Sequence, residues 1–299
     1  MRAARTAKNV RTVHAQRQAN RELDRAIASN APISGLTTSS RPTPVVVSFT
    51  SYPGRIHSAA RVAHRLLDQT VKPDRILLWL TEQQFPERQV PQQFQDLQEL
   101  GLTICWARDS LKAHTKYFFT MAEFPSATVI TVDDDVVYPR DLIEVLLRAH
   151  TRHPRAVIAR RAHRITFGPT GRPLPYNRWQ HQCRTSAGPA WDLFATGVGG
   201  VLYPPNSLSE LTFHKDEILR LCLDADDIWL KAMELLARTP VVLTQPMPIL
   251  LTAGSQGQAL ALSNVGTGGN TKILNAVFDA YGVWDVLDRL ARNEPSTPS

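Results

Sequence analysis

The feature that most constrains this chain is an alternation. From residue 44 to 160, short β-branched apolar runs are separated by segments of helical period. "PVVVSFT" (44–50) enters a strand through proline, and "ILLWL" (76–80), "LTICW" (102–106), "TVITV" (128–132) and "AVIAR" (156–160) predict four more strands. Between the first two, "IHSAARVAHRLLDQ" (56–69) puts apolar residues at 56, 59, 62, 63, 66 and 67, which predicts an amphipathic helix. "PQQFQDLQELG" (91–101), "HTKYFFTMAEF" (114–124) and "DLIEVLLRAHTRH" (141–153) predict three further helices, the first closed by glycine. Strands joined through helical crossovers run parallel, and short, wholly apolar strands suit a sheet covered on both faces. The expected class is α/β, with a mostly parallel sheet flanked by helices.

Beyond residue 160 the pattern changes. Residues 161–192 are rich in Pro, Gly and Arg and have little periodicity, and long excursions of this kind often carry function. "GVGGVLYPP" (197–205) re-enters the core, "DADDIWLKAMELLAR" (224–238) predicts a helix with acids at its N-terminus, and "VVLT" (241–244) predicts a last strand. The expected organisation is a basic arm over 1–43, marginally helical or disordered, one domain over 44–292, and a disordered tail over 293–299.

Charge separates the arm from the domain. The chain carries +7 overall, but residues 1–44 hold eight of the 34 basic residues against two of the 27 acidic ones, so the remainder is nearly neutral. A neutral body argues against nucleic acid as the partner and leaves an anionic membrane surface as the arm's alternative contact. The arm lacks the apolar stretch of a secretory signal, and no run reaches the ~18 apolar residues of a membrane span. A cytoplasmic location is expected, peripheral at the inner face of the membrane if the arm binds there. Cys105, Cys183 and Cys222 are widely spaced and form no C-x-x-C pair, which excludes a disulfide framework or a zinc cluster built on cysteines. No G-x-G-x-x-G fingerprint occurs, and no Ser-His-Asp or Cys-His spacing stands out.

"VITVDDDVVYP" (129–139) runs a buried strand into three aspartates. In an open α/β sheet, ligands gather at the carboxyl ends of strands. Adjacent carboxylates raise one another's pKa, and a divalent cation such as Mn²⁺ or Mg²⁺ relieves that conflict. On an extended segment Asp133 and Asp135 face the same way, so they are candidates to share one ion, with Asp134 opposite. A solvated acidic turn is the plainer alternative. "DADD" (224–227) raises the same choice: acids at a helix N-terminus satisfy free N–H groups, but three in four residues exceed what capping needs. The aromatic residues Tyr176, Trp179 and Trp191 of the irregular segment suit either a small local core or a face for an acceptor sugar.

Five blocks, "VVVSFTSYPGR", "ILLWLTEQQFP", "VITVDDDVVYP", "GVGGVLYPP" and "ADDIWLKAM", occur in an order that resembles nucleotide-sugar-dependent glycosyltransferases of the GT-A fold. The resemblance covers about residues 44–275 and is greatest to bacterial family-2-like enzymes of surface-polysaccharide biosynthesis. It implies a GT-A-like domain that moves a sugar, expected from a UDP-sugar, to a saccharide or lipid-linked acceptor with a divalent metal, by inversion. It implies that Thr50, Tyr52 and Arg55 hold the base and diphosphate, that Glu82 meets the base or ribose, and that Lys112 and Lys116 supply basic groups to the nucleotide. Asp133 and Asp134 would meet the ribose, Asp135 with Asp133 the metal, and Gly199 and Gly200 would admit the donor sugar. Asp226 and Asp227 resemble the family's acidic pair, with Asp227 as catalytic base, and "SNVGTGGN" (263–270) would cover the donor.

Two other functions compete. A sugar nucleotidyltransferase needs the same metal, but usually carries a Gly-rich basic loop after the first strand, where this chain has "SYPGR". A non-enzymatic binder of nucleic acid or an anionic surface would act through the arm. Removing residues 1–43 is expected to leave donor binding intact in an enzyme and to abolish the affinity of a binder.

Overall fold

In β1 (Val45–Thr50), Val45, Val47 and Phe49 face one core cluster while Val46 and Ser48 face the other way, and all five are buried. A strand apolar on both faces must be covered on both, and that requirement builds the rest of the molecule. The computed structural model describes residues 2–29, 35–169, 171–253 and 269–292. Strands β2 (Arg75–Thr81), β3 (Leu102–Ala107) and β4 (Thr128–Thr131) join β1 as a parallel set in the order β3-β2-β1-β4. The sheet continues through β9 (Val201–Tyr203), β5 (Val157–Ala159), β10 (Val241–Leu243) and β7 (Ala187–Ala190). β5 and β10 run parallel to each other, while β9 is antiparallel to β4 and β5, and β7 is antiparallel to β10. Two short strands, β6 (Ala162–Arg164) and β8 (Leu193–Ala195), pair separately. The expected class, a mostly parallel sheet flanked by helices, is therefore the one observed.

Helix α2 (Ile56–Leu67) buries Ala59, Val62, Ala63, Leu66 and Leu67 on the first face, beside α5 (Leu142–Arg152) with Leu142, Ile143 and Leu146. On the second face, α4 (Thr115–Glu123) is held by polar contacts. Ser48 Oγ donates to the Lys116 carbonyl at 2.5 Å, and Trp79 Nε1 donates to Thr120 Oγ1 at 2.7 Å. These bonds fix α4 against β1 and β2, and so fix where Lys116 points. A π-helical turn, Ile218–Cys222, precedes α7 (Asp226–Leu236), and two C-terminal helices, Gly269–Ala280 and Val283–Arg292, pack behind α7 in a second core.

The N-terminal segment, expected as a marginal helix or disordered, forms helix α1 (Arg2–Ala28). It is anchored by Leu23, 1% exposed, and by an ion pair between Asp24 and Arg61 of α2. No helix among the described residues is long and apolar enough to cross a membrane. Cys105, Cys183 and Cys222 are free thiols. The tail over 293–299 lies outside the described residues.

Helix α7 carries a charge pair inside the second core. Lys231 and Glu234 are each 1% exposed, with Nζ 3.2 Å from Oε2. Burial lowers the Lys231 pKa and raises that of Glu234, and each partly offsets the other's loss of hydration. Glu234→Ala is expected to lose about 3–5 kcal/mol in urea unfolding, because it strands the Lys231 ammonium. The double variant Lys231→Met/Glu234→Leu is expected to be near neutral or stabilising. A Glu234→Ala variant as stable as wild type would refute this account.

Candidate active site

The carboxyl ends of β1 and β4 bring together residues from five segments. After β4 the chain leaves the extended conformation, and a turn at Asp134–Asp135 breaks the expected alternation. Asp134 and Asp135 do not point to opposite sides. Both meet one guanidinium, Arg55 Nη1, at 3.1 Å each. Ser51 Oγ also donates to Asp134 Oδ2 at 2.6 Å. Asp133 meets a different cation, its Oδ1 lying 2.7 Å from Lys116 Nζ. The Asp133 N–H donates to the Tyr138 hydroxyl at 2.9 Å, and that hydroxyl donates to the Val198 carbonyl at 3.2 Å.

Lys116 is the hub. Its side chain is 4% exposed, and Nζ also lies 2.8 Å from Asp226 Oδ2, at the start of α7. Asp227 follows, with Oδ1 accepting from the Gly197 N–H at 2.8 Å. Burial works against the Lys116 charge, but Asp133, Asp226 and Asp227 outweigh it and hold the ammonium well above its ordinary pKa. For Asp226, burial is overcome by Lys116 and its carboxyl is held low, whereas burial and then the Asp226 charge push Asp227 up, to about 8. Burial, followed by Asp133, raises Asp135 to about 6, and burial also raises Asp134 despite Ser51 and Arg55. Two neighbouring acids are thus driven apart in protonation, the usual arrangement where one group stays charged and another exchanges a proton.

The other residues singled out from sequence fall outside this cluster or play a different part. Thr50 Oγ1 donates to the Trp79 carbonyl at 2.8 Å. Tyr52 is 38% exposed, with the Arg55 guanidinium 5.6 Å from its ring centre. Glu82 ion-pairs with Arg88 at the surface beyond β2. Lys112 pairs with Asp224 at 2.5 Å, both more than half exposed, so of the two lysines only Lys116 reaches the carboxylates. Ala225, without a side-chain cap, occupies the N-cap of α7. At Gly199 and Gly200 a side chain would meet the protein itself. A Cβ on Gly199 would lie 2.4 Å from Arg161 Cβ, and one on Gly200, at φ +82°, 2.9 Å from Leu142 Cδ1.

One functional candidate, Gly197, escaped the sequence reading. A Cβ on Gly197 would lie 3.0 Å from Lys116 Nζ, 3.2 Å from Asp227 Oδ1 and 3.7 Å from Asp133 Oδ1, so this glycine keeps the space between the charges open. Its local signal is the "TGVGG" run, in which the later pair of glycines is the more conspicuous. Arg161, whose Nη1 donates to Thr196 Oγ1 at 2.7 Å, adds a second cation in the field of Asp227, although burial lowers its pKa. Nearby, Tyr176 and Trp179 pack with Phe194, at ring distances of 5.8 and 5.3 Å, as a small core. Residues 263–268 of the expected donor loop lie outside the described residues.

Among the described residues, no group of three or more His, Cys, Asp or Glu side chains is arranged to hold a metal ion by itself. The donor set does fit a hard cation that takes its remaining ligands from a diphosphate and water, since one or two carboxylates then suffice. Burial and then the Asp133 charge raise Asp135, and such an ion would relieve both the lost hydration and the repulsion.

No protein-family model matches the chain, and no curated protein matches it. The solved structures similar in outline include two of different activity. One is CMP:2-keto-3-deoxy-manno-octonic acid synthetase complexed with CTP, 12% identical over 75% of this chain and 98% of that chain, at a TM-score of 0.41. The other is the mannosyltransferase PcManGT from Pyrobaculum calidifontis in complex with GDP-Man and Mn²⁺, 13% identical over 97% of this chain and 87% of that chain, at 0.45. Likeness at that level carries no argument about the reaction, which rests on the side chains.

Proposed function

We propose that this chain is a glycosyltransferase that moves a sugar from a nucleotide-sugar, expected to be a UDP-sugar, to a saccharide or lipid-linked acceptor. The observation that carries the reading is the meeting of Asp133, Asp135, Lys116, Asp226 and Asp227 at the carboxyl ends of β1 and β4. Tyr52 offers an exposed ring to the base, and Arg55 holds the carboxylate turn while facing the diphosphate. Asp133 and Asp135 would hold the divalent cation together with the diphosphate; when bound, it supplies Lewis-acid stabilisation of the leaving group. Lys116 keeps Asp226 ionised against its burial and holds Asp133 and Asp226 in place. Asp227 takes the proton of the acceptor hydroxyl as that oxygen bonds to the anomeric carbon and the bond to the diphosphate breaks. One displacement of this kind inverts the anomeric centre.

The test is UDP binding by calorimetry with and without Mn²⁺. Wild type is expected to bind at least about tenfold more tightly with Mn²⁺, and Asp135→Ala to lose that gain, in line with the usual effect of removing groups that support a metal. An Asp135→Ala variant that keeps the full Mn²⁺ effect would refute the assignment of Asp135. If neither UDP nor GDP binds under either condition, the nucleotide-sugar reading falls.

A further inference from the structure

Asn20 sits on the N-terminal helix, far in sequence from the carboxylates. It is 8% exposed, an unusual place for a residue that forms helices poorly and needs its amide satisfied. Its Nδ2 donates to the Leu251 carbonyl at 2.8 Å and to the Gln16 carbonyl of its own helix at 2.9 Å. Its Oδ1 accepts from the Ala253 N–H at 2.6 Å and from Arg61 Nη2 at 3.1 Å. The amide is fully used, and half of its bonds go to one short segment.

The opposite edge of that segment lies on the carboxylate turn. Val137 N–H donates to the Leu250 carbonyl at 2.7 Å, Thr252 N–H donates to the Asp135 carbonyl at 2.8 Å, and Leu251 bridges Val136 in antiparallel fashion. Residues 250–253 are therefore clamped between α1 and residues 135–137, and they lead directly into residues 254–268. A side chain that ties down one edge of an isolated bridge limits how far the other edge can move.

We propose that Asn20 is a positioning residue of the carboxylate site: it holds residues 250–253 on the backbone of Asp135, and so fixes the turn that aims the Asp135 carboxylate. The inference rests on the glycosyltransferase reading for its consequence, but the clamp itself does not. It also makes α1 a working part of the domain. Removing residues 1–43 should therefore weaken donor binding, contrary to what the sequence suggested for an enzyme.

The test uses the full chain, with amide hydrogen exchange and UDP calorimetry on wild type, Asn20→Ala and Asn20→Asp. Asp24→Ala is the control, because it removes the ion pair to Arg61 and leaves the clamp. Asn20→Ala is expected to speed exchange at Thr252 and Val137 by about five- to tenfold, the scale of one lost buried hydrogen bond, while the amides of β1 stay protected. It should weaken UDP affinity in the presence of Mn²⁺ by a similar factor, about fivefold or more, and leave metal-free affinity unchanged. In an Asp135→Ala background the Asn20→Ala effect on UDP should vanish, since contacting groups are not additive. Asn20→Asp keeps the acceptor for Ala253 but sets an anion against the Leu251 carbonyl, so it should shift exchange in the same direction; it stands in if Asn20→Ala does not fold. Unchanged exchange at Thr252 and Val137, or the same change in Asp24→Ala, would overturn the proposal. If wild type binds no UDP, the functional reading fails and the exchange result alone decides the clamp.

Discussion

Lys116→Met is expected to lose about 3–5 kcal/mol of folding stability at pH 8, the usual cost of stripping a buried charge of its partner. Lys116 is the counter-charge for Asp133 and Asp226 at 2.7 and 2.8 Å, and it lowers the cost of ionising Asp227. Without it, acids from two elements face one another in a poorly hydrated space. In wild type the folded pKa of Lys116 lies above its unfolded value, so its contribution is complete below the unfolded pKa and fades only as pH rises through the folded one. In the variant burial raises the folded pKa values of Asp226 and Asp227 without the Lys116 charge to oppose it. Their penalty is full above those values and disappears as pH falls toward the unfolded carboxylate range. The deficit in urea unfolding should accordingly be larger at pH 8 than at pH 5. A deficit that is small at pH 8, or equal at both, would refute the role of Lys116 as hub.

Asp227→Asn is expected to reduce turnover by about 10²- to 10⁴-fold, the range for losing a positioned general base, without loss of stability. Asparagine keeps an oxygen to accept the Gly197 N–H. It also removes a carboxylate whose folded pKa is raised by burial and then by Asp226. A raised folded pKa favours the folded state at low pH, so wild-type stability from this group declines as pH climbs from the unfolded carboxylate value toward about 8. The variant lacks that decline, and should equal or exceed wild type in urea at pH 8. A second consequence concerns the rate profile. The base must be deprotonated, so the acid limb of kcat/KM should lie above the ordinary carboxylate range and move to lower pH in Asp226→Asn, because the neighbouring negative charge is gone. Full turnover in Asp227→Asn would remove this residue from the mechanism.

Much of the scaffold was legible in the chain. β1, β2, β3, β4 and β5 fall where β-branched runs were found, and α2, α3 (Gln93–Glu99), α4 and α5 where the helical period was found. Both signals are local, since burying one or two faces dictates the spacing of apolar residues whatever the element packs against. The acids at 133–135 and 226–227 were visible for a similar reason: a run of carboxylates at the end of an apolar strand or the start of a helix is conspicuous against its neighbours. The reversed directions of β9 and β7 had no such signal, because an apolar strand has the same composition in either direction.

Local pattern in the chain carries the inventory: the parallel α/β frame, the strand that ends in three aspartates, and the acidic start of α7. The wiring came from packing. The turn after β4 gave Asp134 and Asp135 a single arginine instead of opposite faces, and the seating of α4 on Ser48 and Trp79 sent Lys116 between Asp133 and Asp226. The packing of α1 brought Asn20 to the segment that braces Asp135. The difference is one of range. Periodicity and propensity act between neighbours along the chain, whereas a buried charge takes its partner from whichever elements the crossovers bring together.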